Sequence, residues 1–276
     1  MPNIPTATPV TSFDDFSKNT QDIKRHRVLF YALEEVLYGL FISAIGATLG
    51  FAGRITGYPA LIFFIMDLAF LFLFYRAIEQ KEIHQARSWF WALCGTLGYS
   101  LAPLLLLVHI ASGPTVILGI VAMTALIVGA VSTAALAYLK TNDMSWTQFL
   151  PFISSSLLGL IVLGFLVPFA GNVPAAVLTY SLISAVTFSG ILFLDILKCV
   201  YFDSICGDDK SSQRLAGLRS AVGIYLDIIN IFKDLLTAWF ILSNKENRQD
   251  IDLSQMFQTL LGLVIPVCFL TYLCFT

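Results

Sequence analysis

Eight stretches of this chain run for about twenty residues or more with almost no charge, the length a helix needs to cross a bilayer. They are Val28–Ala52, Tyr58–Ala77, Ser88–Ile110, Thr115–Leu139, Trp146–Phe169, Val173–Val200, Ala221–Leu242 and Leu253–Phe275. Their apolar residues do not alternate with polar ones, which excludes a membrane β-barrel. Composition agrees: 57% of the 276 residues are hydrophobic and 12% charged, against about 45–50% and about 25% in a soluble domain. A soluble enzyme, a nucleic-acid binder and a disordered chain are excluded. The expectation is an all-α polytopic membrane protein. The seventh stretch is the least apolar and the eighth could be re-entrant, so the count is seven or eight.

Connections are short and carry turn residues, such as Ser112-Gly113-Pro114 and Gly171-Asn172, so consecutive helices are expected to be antiparallel neighbours in one bundle. Residues 1–27 form a polar N-terminal tail, 28–242 a seven-span membrane unit, and 243–276 a loop with the eighth apolar segment. The tail is acidic and then basic, unlike a signal peptide. With the N-terminus inside, twelve Lys and Arg fall on inner segments and three on outer loops. That bias predicts a cytoplasmic N-terminus. Gly46-x-x-x-Gly50 permits close helix approach. Five cysteines show neither a disulfide framework nor a metal pattern. No nucleotide-binding glycine motif, zinc-protease helix or nucleophile elbow is present, so no enzyme activity and no cofactor are expected.

Charges inside a bilayer are costly and usually functional. Asp195 lies five residues from the inner end of the sixth span, and Asp227 six residues from that of the seventh. At about 1.5 Å per residue both lie roughly 8–9 Å deep, on consecutive antiparallel helices. If their faces match, the two carboxylates can share a proton near neutral pH and bind a cation when ionised. The alternative is that each only hydrogen-bonds a neighbouring helix. Asp67 lies near the middle of the second span with no evident partner. Lys233 and Asp234 lie in the seventh span, Asp234 seven residues after Asp227 and on the same face. They either extend a polar lining or form a local ion pair. Glu34 and Glu35 are read as hydrated near the inner interface, and Tyr201–Ser220 as a solvated inner loop.

Ser220-Ala-Val-Gly-Ile-Tyr-Leu-Asp-Ile-Ile-Asn-Ile-Phe232, followed by Leu235-Leu236, resembles the late signature helix of the Bax inhibitor-1 family. Phe188–Asp195 resembles the family's preceding helix. Gly98-Tyr-Ser-Leu-Ala-Pro103 is similar to its third-span turn, and Gly46–Gly50 fits its first span. The resemblance covers about Val28 to Leu242. It implies a seven-helix bundle, here with an extra C-terminal apolar helix, that leaks calcium in a pH-dependent way. It also implies an aspartate pair matching Asp195 and Asp227, and an arginine that engages the pair, matched by Arg76. The longer loop between the aspartate helices, the charges of Lys233 and Asp234, and the eighth segment depart from the family pattern.

The resulting expectation is a Ca²⁺ leak channel or Ca²⁺/H⁺ exchanger with Asp195 and Asp227 as ion-binding and pH-sensing residues. Arg76 is its gating partner, and Asp67, Lys233 and Asp234 are polar lining. Its partners are Ca²⁺, H⁺ and membrane lipids, with no nucleic acid. The host is a bacterial inner membrane or an endoplasmic reticulum or other internal membrane. The rival is a non-conducting interaction protein that regulates a membrane protease or a cell-death regulator through the tail and the Tyr201–Ser220 loop.

Overall fold

The computed structural model of the protein describes residues 26–53, 60–141, 150–207 and 209–247. The tail and the eighth apolar segment therefore lie outside the described residues. Seven α-helices follow in order: α1 Arg27–Ala52, α2 Ala60–Glu79, α3 Ile83–Ser112, α4 Pro114–Thr141, α5 Leu150–Leu166, α6 Val173–Cys206 and α7 Lys210–Asn247. A short 3-10 turn, Val167–Phe169, ends α5. No strand occurs among the described residues. Five of the helices, α1, α3, α4, α6 and α7, are long and apolar enough to cross a membrane.

The centre of the bundle belongs to α7. It packs against α1, α2, α3, α4 and α6. Its apolar stretch is 78% buried, against 11–50% for the other long helices. The least apolar long helix is thus the most enclosed, which keeps its polar groups away from lipid. Outward positions carry large apolar side chains instead, among them Phe41, Leu49, Phe72, Leu126 and Val186.

Lipid-exposed helices gain little from hydrophobic burial against one another, so close packing of small residues must hold them. The α1–α3 contact is built that way. A Cβ at Gly46 would strike the Gly95 carbonyl, and a Cβ at Gly98 would strike the Ser43 backbone. Gly50 lies over the Tyr99 carbonyl, the group that Pro103 cannot serve because proline has no N–H. The Gly46-x-x-x-Gly50 motif therefore has α3 as its partner.

One expectation is overturned. Tyr201–Ser220 is not a long loop. Helix α6 continues to Cys206, Gly207 turns the chain at φ +54°, and α7 begins at Lys210. The charges that suggested a loop cap and tie these helix ends. Asp209 accepts from the Ser211 and Ser212 backbone N–H groups at 3.1 and 3.3 Å. These bonds and the Ser212 hydroxyl hold its carboxyl below the ordinary carboxylate range, the hydroxyl contributing most. The cap is thus in place above the ordinary carboxylate pKa and is lost as pH falls through the lowered one. Asp203 Oδ1 accepts from Val28 N at 3.2 Å, tying the end of α6 to the start of α1. The rival's docking loop is absent as such.

Candidate functional site

Asp195 of α6 and Asp227 of α7 are both buried, at 3% and 0% exposure. The two helices pack along each other. Gly223, one turn before Asp227, has no side chain, and the Asp195 carboxylate fills that space: a Cβ at Gly223 would strike Asp195 Oδ2. Neither Asp227 oxygen accepts a hydrogen bond among the described residues. The charged groups acting on Asp227 are Asp195 and Lys198. Lys198 follows Asp195 by three residues on α6, the spacing that puts two side chains on one helix face. That spacing is readable from the sequence. Arg76 itself is exposed in the last turn of α2.

Further along α7, Lys233 and Asp234 are 1% exposed each. Lys233 Nζ donates to Asn230 Oδ1 at 3.0 Å and lies 3.7 Å from Asp234 Oδ1. Asp67 is apart from this group. It sits at the α2–α3 contact, where Thr96 Oγ1 donates to its Oδ1 at 2.5 Å. A hydroxyl partner from another span could not be identified from linear sequence.

Two further features were not anticipated. Glu35 is 4% exposed, not hydrated, and pairs with Arg87 of α3. Ser43 and Tyr225 share a hydrogen bond of 2.6 Å that joins α1 to α7. Arg87→Met would leave Glu35 buried without its cation. The cost of breaking a buried pair is about 3–5 kcal/mol, and the 36% exposure of the Arg87 side chain reduces it to roughly 2 kcal/mol. Thermal unfolding in detergent should show this loss, with recovery in Glu35→Gln/Arg87→Met. An unchanged midpoint in the single variant would show that the pair carries no stability.

The buried carboxylates, the intramembrane lysine and the apolar exterior define an integral membrane protein with an ionisable interior. Residues 26–247 match the family described as Inhibitor of apoptosis-promoting Bax1, and the chain belongs to that Bax inhibitor-1 family. It is also similar to a protein of Vibrio cholerae serotype O1 described as an uncharacterized membrane protein. The two are 26% identical over 210 residues, which cover 75% of this chain and 86% of the relative.

Proposed function

We propose that the protein is a pH-dependent cation leak, with Ca²⁺ as its principal ion, in which Asp195 and Asp227 bind protons and cations competitively. The carrying observation is the Asp227 carboxylate: fully buried, without a hydrogen-bond donor among the described residues, and under the influence of Asp195. A buried carboxylate with no donor is poorly stabilised as an anion, so a proton or a cation is the natural partner. Two such groups close together ionise in coupled steps. When one of them holds a proton, their mutual repulsion is absent, α6 and α7 stay packed together and the path is closed. When both are ionised, their repulsion loosens that contact and a cation can enter. In this reading the α6–α7 junction and the N-terminus face the cytoplasm, which the excess of Lys and Arg on those segments supports.

The test is Ca²⁺ flux into vesicles carrying purified protein, followed by an entrapped indicator between about pH 6 and 8. Wild-type flux should rise with pH across that range. Asp195→Asn and Asp227→Asn should each flatten the response. An unchanged pH profile in both variants would overturn the proposal.

A further inference from the structure

Ser220, Gly223, Asp227, Asn230, Asp234 and Thr237 recur along α7 at alternating steps of three and four. That spacing places them in one row on the helix. All six are buried. The row spans about 25 Å at about 1.5 Å per residue, most of a hydrocarbon core of roughly 30 Å. Both oxygens of Asp227 and the Thr237 hydroxyl have no hydrogen-bond partner among the described residues, whereas the Asp234 carboxylate is engaged by the Lys233 ammonium at 3.7 Å and faced by Ser184. Buried polar atoms are normally paired, so the unpaired oxygens of this row need an explanation. Carboxylate, amide and hydroxyl oxygens are the groups that hard cations accept as ligands.

A cation already lies in this row, and it belongs to the chain. Lys233 is among the largest fully buried side chains, at 1% exposure. Its ammonium reaches back one turn to Asn230 and lies beside Asp234. It therefore sits between the turn of Asp227 and the turn of Asp234. The charges that α6 presents to the Asp227 end are Asp195 and Lys198, and Ser184 of α6 faces Asp234. An ammonium is a compact charge with three donors, close in its demands to a bare monovalent cation. No three His, Cys, Asp or Glu side chains converge on one point among the described residues. The row thus suits passage of an ion along successive oxygens more than its retention by a chelating cage.

We propose that Lys233 is a tethered cation that plugs this oxygen-lined row. Its ammonium holds the place a permeating cation would take and repels others that approach. The proposal rests on the reading that cations cross along α7, and it names Lys233 as the residue of this chain that limits which ions pass and how fast. A purely structural Lys233–Asp234 pair would affect stability alone.

The full-length protein would be placed in vesicles as wild type, Lys233→Gln, Lys233→Arg and Lys233→Gln/Asp234→Asn. K⁺ and Ca²⁺ efflux would be compared at one fixed pH near about 8, where the carboxylates of the site are most ionised. Lys233→Gln should raise efflux by about tenfold or more, as expected when one close fixed charge is removed from a low-dielectric path. Lys233→Arg should keep the wild-type rate. Should Lys233→Gln fail to fold, the double variant decides, because it removes both charges of the Lys233–Asp234 pair together; it should leak as Lys233→Gln would. Wild-type efflux in every variant that folds, at equal incorporation, overturns the plug. The aspartate reading is tested separately by the pH profile. A faster leak without pH dependence in wild type removes that reading and leaves the plug. Unchanged efflux with an intact pH response removes the plug alone.

Discussion

Alanine at position 223 is expected to leave the protein folded while moving the pH midpoint of its cation flux downward by about one unit. The added Cβ would meet Asp195 Oδ2, the far end of a short side chain, and its three nearest atoms all belong to the Asp195 carboxylate. A carboxylate can turn to a neighbouring rotamer for about 0.5–1.5 kcal/mol, so the helices need not separate. The turn takes the Asp195 charge away from its seat against α7 and weakens its repulsion of Asp227. Both acids can then ionise at lower pH, and the path opens earlier. A change of about 1.4 kcal/mol in their interaction corresponds to one pH unit. The measurement is the Ca²⁺ flux profile of Gly223→Ala beside a thermal unfolding curve. A wild-type profile in a folded variant would remove the Asp195–Gly223 contact from the gating mechanism.

The same added carbon at position 98 should have the opposite outcome. A Cβ there would strike the Ser43 carbonyl and Cα of α1, and backbone atoms cannot rotate away. Helices α1 and α3 would have to move apart along a contact that also includes Gly46 on Gly95. The Ser43 hydroxyl, which bonds Tyr225, would move with them. Overpacking of a tight core costs about 1–3 kcal/mol, occasionally more. The upper end applies where backbone meets backbone, giving a fall of roughly 10 °C in Tm. Gly95→Ala is the control, because its Cβ would meet only Ile42 Cγ2 at 3.6 Å, an ordinary contact. Equal midpoints for Gly98→Ala and wild type in detergent would contradict the close α1–α3 approach.

Much of the fold is legible in the chain because a bilayer imposes a simple rule on length and polarity. The first span read as Val28–Ala52 is α1 at Arg27–Ala52, and that read as Thr115–Leu139 is α4 at Pro114–Thr141. Errors gather where polar residues continue a helix beyond its apolar stretch. The span read as Ser88–Ile110 begins at Ile83, and the one read as Ala221–Leu242 begins at Lys210. Hydropathy marks where lipid is tolerated, whereas a helix is held by its backbone bonds and its caps, so charged turns such as Lys210–Arg219 look like a loop by hydropathy and are helical. The burial of Glu35 is hidden from the sequence for a related reason. Depth along a helix follows from counting residues, but the identity of the facing helix does not, and Arg87 approaches from a different span.

The candidate site divides in the same way. The placement of Asp227, Asn230, Asp234 and Thr237 along one face is fixed by local helix geometry and is readable from residue numbers alone; the depth of Asp195 and Asp227 counted from Val200 and Ala221 is not, because α6 runs on to Cys206 and α7 begins at Lys210. What surrounds those groups is not. The tertiary structure decided that Gly223 seats the Asp195 carboxylate, that the Lys233 ammonium folds back onto Asn230, and that Thr96 serves Asp67. Sequence by itself determined that this chain lives in a membrane as helices and that its few interior charges concentrate on the sixth and seventh spans. Only lateral packing, set by small residues and shape between helices far apart in the chain, decided that the most polar long helix stands at the centre and which groups its charges face.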